Sequence, residues 1–142
     1  MKIEVDGTLT FDKLIELASH GKKIFNNDLE EKRFPIKDQS KRVIEVKLLQ
    51  FRQKDRYNVF TSIKENGFRS LFIEELLTFA YLFPDKQEKL KIITLDHFKY
   101  GNSGQLYPCL QKSWIGRYVG LVYVDRDTDF KTTRFAVTKA SL

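Results

Sequence analysis

The sequence predicts an α+β fold: a mostly antiparallel sheet of about five or six strands with two helices, in a single domain spanning residues 1–142. Segments typical of strands recur along the chain, and two apolar segments show helix-start signals with helical spacing. No internal repeat and no Pro/Gly/Ser-rich linker divides the chain. Its length of 142 residues and hydrophobic content of 42% suit one packed core.

The N-terminal part predicts a short strand and then a helix. Residues 2–5 are strand-like, and the first helix is predicted over Phe11–His20. Its apolar residues recur at i, i+3, i+4 and i+7, which forms one stripe: Phe11, Leu14, Ile15 and Ala18. Thr10 is the expected N-cap, and Gly21 is the expected left-handed residue that ends the helix.

The middle of the chain predicts a β-hairpin followed by a buried helix. The hairpin strands are predicted over Val43–Phe51 and Arg56–Ile63, with a polar tip between them. Ser70 is expected to cap a second helix over Leu71–Phe83, which is apolar nearly all round in its second half. The expected core face of that helix consists of Phe72, Leu76, Phe79 and Ala80.

The C-terminal part predicts further strands. Residues 91–100, 117–124 and 130–139 are rich in β-branched and aromatic residues. Residues 125–129 between the last two have the length and polarity of a hairpin loop.

The charge of the chain is concentrated in residues 32–69. This window holds eleven Lys and Arg against four Asp and Glu, a net +7, whereas the whole chain carries +6. A charge localised in this way creates a one-sided field and favours a polyanionic partner.

The leading functional hypothesis is a non-enzymatic protein that binds DNA or RNA, or a nucleic-acid-handling protein, through a basic hairpin over residues 41–56. Long cationic side chains on a protruding scaffold suit phosphate contacts, and an aromatic residue beside them suits base stacking. The expected contact residues are Lys41, Arg42, Lys47, Arg52, Lys54, Arg56 and Tyr57. The alternative interpretation of the same charges is an edge hairpin that avoids sheet-to-sheet pairing.

A metal-dependent nuclease is the second hypothesis. Glu45 and Lys47 project to the same side of a strand, and this pair resembles the Glu-x-Lys half-motif of restriction-endonuclease-like nucleases. Asp38 is the candidate upstream carboxylate, although the Pro-Asp pair of that family is absent and the spacing is short. We therefore expect no metal bound at these residues and no Mg²⁺-dependent cleavage.

A third hypothesis is a protein-binding inhibitor or modulator that docks into the nucleic-acid groove of a partner enzyme. Residues 107–118 interleave aromatic and cationic side chains, which suits either stacking or a protein contact. For Trp114 and Tyr118 we favour burial in the core.

The composition favours a cytosolic protein. No apolar run approaches the roughly 20 residues of a membrane span, and we expect no secretory signal because the first residues lack an apolar segment. Cys109 is the only cysteine, so no internal disulfide or thiolate zinc cluster forms, and we predict no cofactor. Size and a Lys-rich composition suit an accessory protein of a phage or mobile element.

Overall fold

The computed structural model of the protein describes residues 1–20, 29–96, 98–99, 105–114 and 116–141. Within these ranges the helices are α1 (Phe11–Ala18), α2 (Val59–Glu65) and α3 (Ile73–Leu82). The strands are β1 (Lys2–Asp6), β2 (Lys41–Glu45), β3 (Lys47–Leu49), β4 (Phe68–Ser70), β5 (Lys91–Ile93), β6 (Phe98–Lys99), β7 (Gln105–Ser113), β8 (Gly116–Val122) and β9 (Thr133–Lys139). Short 3-10 turns cover Gln53–Asp55 and Pro84–Gln87.

The strands form a two-stranded ribbon and a seven-stranded mixed sheet. β1 and β2 make the antiparallel ribbon. In the larger sheet the order β3-β9-β5-β7 is extended by β4 on β9 and by β6 and β8 on β7. β5 pairs with β9 in parallel, and the other described pairs are antiparallel. The structure confirms the α+β class and the mostly antiparallel sheet, with more strands than predicted.

The larger sheet is buried on both faces. In β9, Ala136 belongs to the apolar cluster of α1 and α3, whereas Phe135 and Val137 belong to the cluster of Val59 and Ile63 on α2. Successive strand residues point to opposite faces, so α2 covers the face opposite to α1 and α3. This arrangement leaves the outer side of α2 facing solvent.

The first helix confirms its predicted start and ends earlier than predicted. The Thr10 hydroxyl accepts a hydrogen bond from the Lys13 amide at 3.1 Å, as expected of the N-cap. The Ser19 amide and hydroxyl both donate to the Ile15 carbonyl, at 2.9 and 2.8 Å, and the helix ends there. His20, with φ of 52°, is the left-handed residue after it. Gly21, which we expected in that role, lies outside the described residues.

The buried helix α3 begins at Ile73, two residues later than predicted. Ser70 does not cap it, because Ser70 is part of β4; the Glu75 carboxylate instead accepts from the Phe72 amide at 2.8 Å. Leu76, Phe79 and Ala80 are fully buried, as predicted. Phe72 is only partly buried, since it lies at the N-cap rather than inside the helix.

The predicted basic hairpin over residues 41–56 is wrong. β2 pairs with β1 and β3 pairs with β9, and the predicted second strand, Arg56–Ile63, is largely helix α2. The cause is a shared spacing: Val59 and Ile63 stand at i and i+4, which fits the alternation of a strand as well as one face of a helix.

Residues 125–129 are likewise not a hairpin loop. β8 pairs with β7, whereas β9 lies between β3 and β5, so consecutive strands are not neighbours here. Among the described residues, no helix combines the length and apolar character that crossing a bilayer requires.

Candidate nucleic-acid interface

Residues around the Gln53–Asp55 turn and α2, all exposed except the half-buried Arg56, form one surface, which we call the Tyr57 surface. It consists of Arg52, Lys54, Arg56, Tyr57, Phe60 and Lys64. Two successive backbone turns build it: the Asp55 amide donates to the Arg52 carbonyl at 2.9 Å, and the Asn58 amide donates to the Asp55 carbonyl at 2.9 Å. Because Val59 and Ile63 bury the inner side of α2, Phe60 and Lys64, also four residues apart, project outward together.

Two large aromatic side chains are the most unusual part of this surface. Tyr57 is 78% exposed and Phe60 is 60% exposed. The Arg56 guanidinium lies 4.5 Å from the Tyr57 ring centroid, in cation–π contact, and one of its nitrogens donates to the Gln53 carbonyl at 3.1 Å. The tyrosine ring is thus oriented by its neighbour while it stays accessible to solvent.

The cations of the Tyr57 surface are only weakly engaged. Arg52 pairs with Asp55 at 3.2 Å, and the Arg52 side chain is well exposed, so this ion pair contributes little to stability. Among the described residues, no carboxylate lies within ion-pair distance of Lys54, Arg56 or Lys64. Lys54 and Lys64 are exposed and free to contact phosphate groups, whereas Arg56 is half-buried and held by the Tyr57 ring and the Gln53 carbonyl.

A groove of about 300 Å³ adjoins this surface. Residues 50–53 line one side of it and residues 129–131 line the other. The side-chain amide of Gln53 donates through Nε2 to the Arg126 carbonyl at 2.9 Å and so holds the 125–131 loop against the turn. Sequence reasoning missed Phe60, Lys64 and Lys131 as members of this region, although a helical interpretation of residues 59–65 would have identified the first two.

The other predicted contact residues lie elsewhere. Lys41 is on the β1–β2 ribbon, opposite Asp6. Lys47 is on β3, and its ammonium lies 5.3 Å from the ring centroid of Phe68 on β4. The structure therefore brings Arg52, Lys54, Arg56 and Tyr57 together in the turn before α2 but places Lys41 and Arg42 on the β1–β2 ribbon, because the predicted hairpin does not exist. Lys47 is opposite Val137 on β9, so its side chain lies on the sheet face that α2 covers.

Arg42 has a structural role instead. Its guanidinium contacts the carboxylates of Glu74 and Glu75 at 2.9 and 3.1 Å, and both carboxylates are fully buried. Arg69 also binds Glu75, with nitrogen–oxygen distances of 2.8 and 3.0 Å. Burial disfavours the charged form of Arg42, but the hydrogen bonds and charges of the two carboxylates outweigh it and raise the pKa. Arg42, predicted as a phosphate contact, is instead a half-buried member of an ion-pair network with two buried carboxylates.

Glu74 and Asp96 fasten the loop before β2 to α3. Glu74 accepts hydrogen bonds from the backbone amides of Lys37 and Asp38, at 3.2 and 3.0 Å. Asp96 accepts from the Ile73 amide at 3.0 Å and from the Lys37 ammonium. Part of the positive window therefore stabilises the fold rather than facing a partner.

The residues of the nuclease hypothesis do not form one site. The Asp38 carbonyl lies against Gly7, just beyond one end of the β1–β2 ribbon. Glu45 lies opposite Lys2 at the other end, about 13 Å along β2 at a rise of about 3.3 Å per residue. Glu45 and Lys47 are both exposed, as their alternate positions predict, but Asp38 is remote from them.

Each of these two carboxylates has its own local partner. Asp38 accepts hydrogen bonds from the hydroxyl and amide of Ser40, at 2.6 and 3.0 Å, and these bonds lower the pKa of Asp38. Glu45 accepts from the Met1 amino group at 2.8 Å, which lowers the pKa of Glu45. Within the described part of the chain, no group of three or more His, Cys, Asp or Glu is placed to hold a metal ion.

Trp114 corrects a further expectation. We favoured burial, but the side chain is 96% exposed next to the tight β7–β8 turn, and Tyr118 is only partly buried. Cys109 is fully buried on β7, and burial raises the pKa of the thiol to about 12, so it is neutral and unreactive near pH 7.

Comparison with protein-family models, curated proteins and solved structures finds no match to this chain. The functional inference therefore rests on the geometry of the Tyr57 surface, where exposed aromatic rings stand among cations that have few carboxylate partners.

Proposed function

We propose that the protein binds nucleic acid, without catalysing a reaction on it, through the Tyr57 surface. The observation that supports this most is the pair of exposed rings, Tyr57 and Phe60, beside Arg56 and Lys64. Base–aromatic stacking and cationic phosphate contacts are the two interactions that proteins combine to bind nucleic acid without sequence specificity. The basic balance of the chain, with a pI of about 9.4, supports the same partner through long-range attraction.

The exposed rings also argue against a purely structural role for this surface. A charged edge that only prevents aggregation has no use for large apolar side chains, which themselves promote association. On α2 the buried residues Val59 and Ile63 already supply the packing against the sheet. Packing of this segment against the sheet therefore does not require Phe60 or Tyr57, and both side chains are available to a ligand.

Replacing Tyr57 and Phe60 by alanine should weaken binding of oligonucleotides without unfolding the protein. Each lost stacking contact is expected to cost about 1–3 kcal/mol of binding free energy, which is about fivefold or more in affinity. Because both side chains are exposed, the free energy of unfolding should change by less than about 0.5 kcal/mol for each. Fluorescence anisotropy with labelled DNA and RNA measures the first quantity, and urea unfolding measures the second.

Tyr81→Ala is the matched control, since Tyr81 is also an exposed aromatic residue but lies on α3, on the other side of the sheet. The oligonucleotide should stay intact in titrations with and without Mg²⁺, and Mg²⁺ should weaken binding only as added salt does, by competing for the phosphates. Wild-type affinity in the Tyr57/Phe60 double variant would contradict the proposal, and Mg²⁺-dependent cleavage would favour the nuclease instead.

A protein partner is the second candidate, favoured by Trp114. An exposed tryptophan is a typical anchor at protein interfaces, and Lys112 and Arg117 lie near it on the β7–β8 hairpin. This alternative predicts that the chain binds no oligonucleotide even at low salt. The accessory role in a phage or mobile element and the cytosolic location stay predictions.

A further inference from the structure

We propose that the ligand of the Tyr57 surface is a single strand, and that its backbone continues from this surface over two adjoining basic grooves to the β5–β7 side of the sheet. This inference rests on the proposed function and specifies its ligand. Stacking on Tyr57 and Phe60 requires bases whose faces are free, and in a duplex those faces are already stacked on neighbouring base pairs.

The first groove is the one between residues 50–53 and residues 129–131. Arg52 belongs both to this groove and to the Tyr57 surface, so the two are continuous. Lys131, exposed on the opposite wall, adds a second cation. Asp129 is an acidic residue of this lining, and it accepts a hydrogen bond from the Lys131 amide at 3.0 Å.

The second groove, of about 240 Å³, begins at the next residue of the chain, Thr132. The Lys91 amide donates to the Thr132 carbonyl at 2.9 Å, which joins β5 to the wall of the first groove. Its cations are Lys89, Lys91 and Lys112. Its acidic residue, Glu88, is paired with Lys112 and lies 3.9 Å from Arg117.

Among the described residues that line the two grooves, five are cations and two are carboxylates, and each carboxylate already accepts a hydrogen bond within the protein. A flexible polyanion can follow such a path, whereas a straight duplex cannot bend into consecutive small grooves without a deformation cost. Proteins that bind single strands generally combine a positively charged groove, which follows the phosphate backbone, with exposed aromatic rings on which the bases stack.

The test is the triple variant Lys89→Ala/Lys91→Ala/Lys112→Ala, measured by anisotropy with labelled 16-nucleotide dT and U strands and with a 16-base-pair duplex. A plot of log affinity against log salt concentration measures the number of phosphate contacts. The loss of three contacts should reduce its slope for single strands by about 2. A fourfold rise in salt concentration should therefore reduce the single-strand affinity of the triple variant about 20-fold less than that of the wild type. The wild type should bind both single strands more tightly than the duplex.

The charge-matched control is Lys2→Ala/Lys13→Ala/Lys139→Ala, three exposed lysines outside both grooves. The proposed path over the grooves would be overturned if the control lost as much single-strand affinity as the groove variant. It would also be overturned if the groove variant bound with the affinity and salt dependence of the wild type. The Tyr57→Ala/Phe60→Ala variant separates the two proposals. If this variant binds oligonucleotides more weakly while the groove variant binds as the wild type does, the proposed function holds and the path over the grooves is wrong. No binding by the wild type would overturn both.

Discussion

Replacing Arg42 by methionine is expected to lower the free energy of unfolding by about 3–5 kcal/mol. The guanidinium is the shared partner of Glu74 and Glu75, whose carboxylates are fully buried at the start of α3. Methionine keeps the side-chain length but leaves one buried carboxylate without its cation and the other with Arg69 alone. Removal of one partner from a buried ion pair is costly because the remaining charge stays desolvated.

Urea unfolding of Arg42→Met beside Lys41→Met measures this effect. Lys41 is the adjacent, exposed cation of β2, so its loss should change the free energy of unfolding by less than about 0.5 kcal/mol. If Arg42→Met lowers the free energy of unfolding no more than Lys41→Met does, the buried ion pairs do not stabilise the fold. Arg42 would then again be a candidate phosphate contact.

Truncation of Phe79 to alanine is the second large effect that we expect, with a loss of about 3–5 kcal/mol. Phe79 is fully buried on α3 and its ring lies 5.3 Å, centroid to centroid, from that of Phe83. The substitution removes apolar burial and leaves a cavity that the surrounding helix and sheet cannot close completely.

Leu82→Ala on the same helix is the control for Phe79, because the Leu82 side chain is 44% exposed. Its thermal midpoint should stay much closer to that of the wild type. A Phe79→Ala protein with wild-type melting would mean that α3 is not the central element of the core.

The sequence predicted elements whose signals are local. Thr10 and the apolar stripe of α1 act within four residues of each other, and the apolar run of α3 is buried whatever surrounds it. β9 was also predicted, since residues 130–139 are rich in β-branched and aromatic residues.

The errors arose where tertiary contacts decide. Val59 and Ile63 fit both periods, and only the sheet face that they cover makes the segment a helix. The partners of Arg42 lie 32 and 33 residues away, so no local pattern separates it from Arg52 or Arg56. β7 was not predicted as a strand, because Pro108 interrupts its pattern; in the fold the Pro108 carbonyl accepts from the Thr94 amide at 3.1 Å.

For the candidate site, the charge window includes the turn before α2, but the predicted hairpin scaffold is wrong. Four of the seven predicted contacts, Arg52, Lys54, Arg56 and Tyr57, fall on one surface because they lie within six residues of each other, just before α2. Phe60 joins them only through the helix, so a prediction based on a strand could not include it.

The central claim is that the Tyr57 surface contacts phosphates, and the salt dependence of oligonucleotide binding tests it most directly. We compare the wild type with Arg52→Ala/Lys54→Ala/Arg56→Ala, a variant expected to remain folded because these side chains make only exposed or local contacts. We expect weaker binding at low salt, and a plot of log affinity against log salt concentration whose slope is smaller by about 0.7 per lost contact on single strands. Unchanged affinity and an unchanged slope would contradict the central claim.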